Sequence, residues 1–290
     1  MAPALLREGP EPSFLWGRFK AVLLDALIQP EKIPLKILKA LGVGSLDFRL
    51  RYDLFDRPHY AYCLAYAARL ASRLGIKSIS ALEFGVAGGR GLLALEALCP
   101  EIEREFGVKI EIWGFDTGEG LPAPEDYRDL PYIWKRGFYK MDVDALKARL
   151  KRSQLVLGDV RDTVPRFVAE HNPATIGAVF MDLDFWSSTR DALALFKGPA
   201  ETMLPRVFCY CDDVISIDGG GILSEDVGQL RAIEDYNQGS DDRKLRPIAG
   251  LIHRRKVRSV WSSQIYVHHA FDHPRYNDYV HSDGNRQLSL

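Results

Sequence analysis

The segment 81–96 constrains the fold of this chain more than any other part of the sequence. It reads ALEFGVAGGRGLLALE, which is a short apolar strand with an acid near its end, a turn of small residues and an apolar helix. A strand–turn–helix of this kind places backbone N–H groups at the carboxyl end of a parallel strand, where α/β sheets bind nucleotide-like ligands. The segment therefore predicts an α/β sheet with a ligand site at one edge.

The rest of the chain continues this alternation. Apolar runs predict strands at 79–84, 109–115, 153–157, 176–181, 206–211, 245–253 and 264–271. Helical periodicity predicts helices at 57–74, 89–98, 142–151, 163–170, 188–196 and 225–237. Strands that alternate with helices form parallel sheets covered on both faces. No helix separates the last two strands, so they are expected to pair as an antiparallel hairpin.

Length and composition limit the domain organisation and the class of partner. The 290 residues carry a formal net charge of −1, so nothing indicates a nucleic-acid or membrane partner. Residues 1–76, with a helical pattern over 13–41 that prolines interrupt, are expected to form an N-terminal helical cover, and 77–290 the sheet domain. The four cysteines do not form the pattern of a secreted disulfide framework, and we predict a cytoplasmic protein.

The first candidate site is the turn that follows the first strand. Small residues at Gly85, Ala87 and Gly89 let the backbone approach a ligand closely. A dinucleotide fingerprint would need glycines at the positions of Ala87 and Arg90, so a different nucleotide-like ligand is favoured. Glu83 is suited to bind the amino group of an amino-acid-like moiety. The alternative is an ordinary strand–turn–helix with an ordinary acid.

Two further junctions extend this site. Asp116 ends the second strand, where a carboxylate can accept both hydroxyls of a ribose. Gly158 and Asp159 follow the third strand and form either a loop beside an adenine ring or the N-cap of a helix.

Acidic residues follow two neighbouring strands of the predicted sheet. Asp182 and Asp184 come after the fourth strand, and Asp212 and Asp213 after the fifth. Neighbouring strands lie about 4.8 Å apart, so three or four carboxylates can meet at this edge. Unpaired carboxylates repel one another, and a divalent cation that prefers oxygen ligands, Mg²⁺ or Mn²⁺, removes that cost. The alternative is two acidic helix N-caps that never meet.

Several motifs over 80–269 resemble the macrocin-type O-methyltransferases, a family of class I S-adenosylmethionine enzymes that often act on antibiotic sugars. The motifs are EFGVAGG at 83–89, GFDTGEGLP at 114–122, GDVRDTVP at 158–165, DLDFWSST at 182–189 and DD at 212–213. The resemblance implies a Rossmann-like, seven-stranded, mostly parallel sheet of order 3-2-1-4-5-7-6, with its last strand antiparallel. It also implies S-adenosylmethionine as cofactor and a small hydroxylated molecule as acceptor.

The resemblance assigns roles to individual residues. Asp182, Asp212 and Asp213 match magnesium ligands, and Asp182 also lies near the acceptor hydroxyl as the candidate base. Together with the turn and junctions above, the predicted cofactor contacts are Glu83, Gly85, Val86, Ala87, Gly89, Asp116, Gly158 and Asp159.

Other parts of the chain leave alternatives open. The segment 117–139 either covers the acceptor with its aromatic residues, Tyr127, Tyr132, Trp134 and Tyr139, or packs as a long loop. His268 and His269 alternate on a late strand and are favoured as packed or solvated residues rather than bases. A phosphatase-type hydrolase, with Asp182 and Asp184 as nucleophile and acid, and a non-catalytic binding module are the rival functions. A homo-oligomer is also compatible with the sequence.

Overall fold

The structure is a computed structural model that describes residues 33–216 and 223–281. The chain divides into two compact units, Met1–Phe55 and Asp56–Leu290. In the first unit, helix α1 spans Ile33–Leu41 and helix α2 spans Leu46–Arg51. Most of the helical pattern predicted at 13–41 lies outside the described residues. The cover predicted for 1–76 therefore stays a prediction.

The second unit contains a seven-stranded sheet. Its strands are β1 (Ser78–Phe84), β2 (Lys109–Asp116), β3 (Ser153–Leu157), β4 (Thr175–Met181), β5 (Met203–Cys211), β6 (Arg243–Pro247) and β7 (Ile265–Ala270). They lie in the order β3-β2-β1-β4-β5-β7-β6. Only β7 runs antiparallel to its neighbours β5 and β6, and the remaining pairs are parallel. This is the strand order that the motif resemblance implies, with the last strand antiparallel.

Helices cover the sheet. They are α3 (Pro58–Arg73), α4 (Arg90–Phe106), α5 (Val143–Lys147), α6 (Val160–His171), α7 (Trp186–Ala192), α8 (Gly228–Gln238) and α9 (Leu251–Arg254). Helix α4 lies between Gly89 and Gly107, which both have positive φ angles, of 75° and 64°, and these suit glycine at a helix boundary. Helix α3 packs on β1, β4 and β5, and it belongs to the same compact unit as the sheet.

The core lies on both faces of the central strands. Every residue of β1 and β4 except the first is buried. Phe84 stacks on Phe115 at a ring distance of 4.5 Å, and Tyr60 of α3 stacks on Phe180 at 4.2 Å. This packing fixes the carboxyl ends of the central strands, which carry the candidate site residues.

The predicted strand at 245–253 is wrong in its second half. Strand β6 ends at Pro247, and residues Leu251–Arg254 form the short helix α9. Gly250 has a φ of 70° immediately before α9, a left-handed conformation that ends the extended chain. Helix α4 also extends to Phe106, beyond the predicted end at 98. None of the helices in the described residues is both long and apolar enough to cross a bilayer.

Candidate functional site

The glycine turn after β1 is held tightly against the end of β4. Gly85 has a φ of 82°, and a Cβ atom there would lie 1.7 Å from the backbone oxygen of Asp182. Gly89 has a φ of 75°, and its Cβ would lie 2.1 Å from a methyl group of Leu146. Ala87 also adopts a positive φ, of 43°. Residues at 85 and 89 therefore need to be glycine for the turn to close over the sheet edge.

Asp116 at the end of β2 fixes this turn from the other side. Its Oδ2 accepts hydrogen bonds from the backbone N–H groups of Val86 and Ala87, both at 2.9 Å. Its Oδ1 accepts one from the Gly118 N–H at 2.7 Å. A carboxylate oxygen has two lone pairs, so Oδ1 keeps one for a further donor. This structural role of Asp116 depends on the direction of its side chain, which the sequence pattern does not reveal.

Glu83 lies below the turn and not in the cavity wall. It is 2% exposed, and its Oε1 accepts a hydrogen bond from the Tyr60 hydroxyl at 2.7 Å. Its Oε2 has no hydrogen-bond partner among the described residues. Burial raises the pKa of Glu83 to about 7, although the Tyr60 hydrogen bond and the charge of Arg57 oppose that shift.

The junction after β3 caps a helix and also lines the cavity, whereas its role beside an adenine ring stays a prediction. Asp159 is the N-cap of α6, because its side chain accepts a hydrogen bond from the Arg161 N–H at 2.9 Å. Gly158 precedes it with a φ of 137°. Both residues also line the main cavity described below. Capping the helix and facing the cavity are therefore compatible at Asp159.

Three carboxylates converge at the ends of β4 and β5. Asp182, Asp212 and Asp213 each offer one oxygen, and these oxygens lie within 4.8 Å of one another. Burial raises the pKa of Asp182 well above its usual range, and the neighbouring Asp213 and Asp212 carboxylates raise it further. Burial raises the pKa of Asp213 as well, and the charges of Asp184 and Asp212 add to that shift. These shifts indicate that the surrounding residues compensate the negative charge of the cluster only in part.

Asp184 lies next to the three convergent carboxylates and hydrogen-bonds to one of them through its backbone. Its backbone N–H donates to Asp213 Oδ2 at 2.9 Å, and its φ of 58° is unusual for a residue other than glycine. Burial, and then the charges of Asp182 and Asp212, raise the pKa of Asp184 to about 7. Asp184 is not one of the three convergent carboxylates.

Residues outside the predicted site hold Asp212 and Asp213 in place. Tyr210 donates a hydrogen bond from its hydroxyl to Asp212 Oδ1, and Gln264 donates to the Asp212 backbone oxygen at 2.7 Å. The Asp213 N–H donates to Oε1 of the fully buried Gln229 at 3.2 Å. Gln229 and Gln264 lie far from these acids in sequence, so no local pattern could have identified them.

One cavity of about 320 Å³ joins these parts. Its wall includes Gly85, Ala87, Asp116, Gly158, Asp159, Asp182, Asp184, Asp212 and Asp213. Of the other predicted cofactor residues, Val86 and Gly89 shape the turn, and Glu83 lies behind it. No histidine lines this cavity in the described part of the chain, and the buried His268 instead lies with Nε2 2.9 Å from the Tyr236 hydroxyl oxygen.

The segment 117–139 forms part of the cavity wall. It is anchored by the fully buried Asp129, whose carboxylate accepts hydrogen bonds from the Ser187 N–H at 2.8 Å and hydroxyl at 2.9 Å. Of its predicted aromatic surface, Trp134 and Tyr139 line the cavity, whereas Tyr127 and Tyr132 are each 68% exposed. The segment thus presents two of its four selected aromatic side chains to the site.

Comparisons with known proteins give distant likenesses only. No model of a protein family matches this chain, and no curated protein is similar to it in sequence. Among solved structures, the calicheamicin methyltransferase CalS11 is 21% identical, with 90% of this chain and 93% of that chain covered and a TM-score of 0.48.

Two further solved structures are similar at the same level. An apo structure of CalS11, described as a TDP-rhamnose 3'-O-methyltransferase of calicheamicin biosynthesis, is 22% identical over 90% of this chain and 95% of that chain, with a TM-score of 0.42. The O-methyltransferase NovP is 13% identical over 70% and 77% of the two chains, with a TM-score of 0.46.

Proposed function

We propose that this protein is an S-adenosylmethionine-dependent O-methyltransferase that acts on a hydroxyl group of a small molecule with the help of a bound divalent cation. One observation carries the proposal. A single cavity is lined by the glycine turn, by Asp116 and by the three convergent carboxylates Asp182, Asp212 and Asp213. A donor site and an oxygen-rich metal site side by side are what such a reaction requires.

The cavity fits the methyl donor. Its volume of about 320 Å³ falls within the range of small-molecule sites. Gly85 and Ala87 bring the backbone to the cavity wall, and Asp116 keeps an acceptor lone pair for a ribose hydroxyl. Gly158 and Asp159 line the same cavity at the end of β3, where we place the adenine ring.

The acidic cluster fits Mg²⁺ or Mn²⁺. All three proposed ligands are oxygen atoms within 4.8 Å of one another, and oxygen ligands select hard cations over softer metals. The raised pKa values of Asp182 and Asp213 give the energetic reason for a cation, because negative charges that are compensated only in part destabilise one another there.

In the proposed reaction this chain's residues position the reactants and move one proton. A bound magnesium ion would supply positive charge that lowers the pKa of the acceptor hydroxyl. Asp182 would take the hydroxyl proton as general base. The turn at Gly85, which contacts the Asp182 backbone, would hold the methyl donor in line with the acceptor oxygen. Trp134 and Tyr139 would face the acceptor.

The substrate class follows from the motif resemblance. The macrocin-type motifs favour a sugar hydroxyl of a natural product, and the aromatic wall formed by Trp134 and Tyr139 supports a ring-shaped acceptor. A cytoplasmic location and a homo-oligomer stay predictions. The hydrolase alternative is less favoured, because Asp182 follows the fourth strand of this sheet rather than an early one. The non-catalytic module remains the alternative to test.

Titration calorimetry with S-adenosylhomocysteine tests the donor site. At a ligand concentration 100-fold above Kd, binding is expected to stabilise the protein by about 2.7 kcal/mol in thermal denaturation. Asp116→Ala should weaken binding, because the ribose loses an acceptor and the turn loses its support. Absence of both heat and a melting shift for the wild type would reject the methyltransferase proposal. Binding without methyl transfer to any of a panel of hydroxylated sugars and metabolites would favour the non-catalytic module.

A further inference from the structure

Two of the three convergent carboxylates are supported in different ways. Asp213 Oδ2 accepts a hydrogen bond from the backbone N–H of Asp184 at 2.9 Å. Asp212 Oδ1 accepts one from the side-chain hydroxyl of Tyr210. A hydrogen bond from a neutral donor to a charged carboxylate is stronger than one between neutral groups. A tyrosine side chain thus holds one carboxylate of the cluster directly.

The ring of Tyr210 is itself fixed by its neighbours. Tyr210 lies on β5, two residues before Asp212, and is 5% exposed. The His59 ring of helix α3 lies against it at a ring distance of 4.2 Å, and the Tyr60 ring lies at 6.0 Å. Because protein interiors are close-packed, a ring enclosed in this way has little room to turn, and its hydroxyl stays directed at Asp212. Gln264 holds the backbone of the same aspartate, with its Nε2 2.7 Å from the carbonyl oxygen.

A carboxylate held in one orientation suits some cations better than others. Mg²⁺ requires a nearly ideal octahedron of oxygen atoms at about 2.0–2.1 Å. Ca²⁺ accepts longer and more variable contacts, at about 2.3–2.6 Å, and can take one or both oxygens of a carboxylate. The flexibility of the ligands therefore helps to decide between the two ions. Rigid support of Asp212 favours the smaller cation.

We propose that Tyr210 is a positioning residue for the metal site, and that its hydroxyl holds the Asp212 carboxylate in the orientation that selects Mg²⁺ over Ca²⁺. This inference rests on the cation of the proposed function and adds to it the source of the selectivity for that cation. Tyr210 is not part of the cavity wall in the described residues, so it acts through Asp212. Helix α3 takes part indirectly, because its His59 ring packs against Tyr210.

Titration calorimetry with Mn²⁺, and displacement of Mn²⁺ by Mg²⁺ or Ca²⁺, tests this proposal. The wild type is expected to bind Mg²⁺ more tightly than Ca²⁺. Tyr210→Phe keeps the ring and its packing but removes the hydroxyl. It is expected to raise the Kd for Mn²⁺ and Mg²⁺ about 10–100-fold, the usual cost of losing a hydrogen-bond partner of a metal ligand. The Kd for Ca²⁺ should rise by a smaller factor, and the Kd for S-adenosylhomocysteine should stay unchanged.

The matched control is Tyr266→Phe, which removes the same hydroxyl group from a neighbouring strand. Tyr266 lies on β7, pairs with Cys209 of β5 and is 6% exposed, so it is as buried as Tyr210. No hydrogen bond from its hydroxyl to Asp212 or Asp213 is found in the described part of the chain. The affinities of this variant for all three cations should therefore equal those of the wild type. Circular dichroism and melting curves check that both variants fold.

The outcomes separate this inference from the proposed function. Unchanged Mg²⁺ affinity in Tyr210→Phe, or an equal loss for Mg²⁺ and Ca²⁺, would overturn the role of Tyr210. A wild type that binds Ca²⁺ as tightly as Mg²⁺ would overturn it as well, without any variant. In these three cases a cation still binds, so the proposed function stands. If the wild type binds none of the three cations, the metal part of the proposed function fails and the inference fails with it.

Discussion

Asp182 has two of the roles in the proposed reaction, as metal ligand and as general base. Asp182→Asn keeps the size of the side chain but removes its negative charge and its ability to take a proton. The variant should bind Mn²⁺ more weakly in titration calorimetry. With an identified acceptor, it should lose about 10²–10⁴-fold in turnover at saturating donor and metal.

Asp184→Asn is the matched control for that variant. Asp184 lies two residues away, has a raised pKa of its own, and is not one of the convergent ligands. We expect a smaller loss of both metal affinity and turnover. If Asp182→Asn binds metal as tightly as the wild type, Asp182 is not a metal ligand. If its turnover equals that of the wild type, Asp182 is not the general base.

At the residue scale, the sequence is a good guide to which side chains line the cavity. It is a poor guide to which hydrogen-bond partners hold those side chains in place. Asp182, Asp212 and Asp213 meet because parallel strands end at one edge, which is a property of the fold class. The support from Gln229 and the pairing of Glu83 with Tyr60 depend on side-chain directions and on contacts between distant segments. Strand periodicity contains no information about either.

At the element scale, the contact between β1 and α4 depends on a glycine inside the helix. A Cβ atom at Gly91 would lie 1.7 Å from Glu83 Oε1 and 2.6 Å from the Tyr60 hydroxyl oxygen. In an open helix, glycine to alanine is favourable by about 0.5–1 kcal/mol. Here Gly91→Ala should instead destabilise the protein by about 1–3 kcal/mol in urea denaturation, because it crowds a buried carboxylate.

Gly88→Ala is the control for this substitution. A Cβ at Gly88 would have no neighbour within 4 Å, so its free energy of unfolding should be close to that of the wild type. A Gly91→Ala protein as stable as Gly88→Ala would mean that Glu83 and Tyr60 move aside at no cost. The hydrogen-bonded pair of Glu83 and Tyr60 would then be less rigid than its 2.7 Å hydrogen bond indicates.

The elements themselves are largely predictable, because apolar runs and helical periodicity repeat in a regular order. The prediction of β3 agrees with the structure residue for residue, at Ser153–Leu157. The strand predicted at 245–253 is wrong in its second half, where an apolar run continues across Pro247 and Gly250 into helix α9. Apolar residues alone do not distinguish a strand from a short helix, and the turn between them is decided by backbone conformation.

At the scale of the whole molecule, the acidic cluster links stability to pH and to metal. Burial and neighbouring charges raise the pKa of Asp184 to about 7, and they raise those of Asp182 and Asp213 in the same direction. The folded state therefore binds protons more tightly than the unfolded chain, whose aspartates have a pKa of about 3.9. The stabilising effect of these protons is complete below that value. For Asp184 it is lost as the pH rises through about 7, and for Asp182 and Asp213 it is lost as the pH rises through their own raised pKa values.

A bound cation should reverse this loss. Carboxylates bind metal only when deprotonated, so Mg²⁺ should raise the melting temperature more at pH 8 than at pH 5, relative to the same protein in EDTA. Asp213→Asn is the control: it removes one repelling charge and one ligand, so it should melt higher than the wild type in EDTA at pH 8 and respond less to Mg²⁺. An equal Mg²⁺ response of the wild type at both pH values would contradict metal binding at this cluster. A larger response at pH 8 that disappears in Asp213→Asn would place the cation at the ends of β4 and β5.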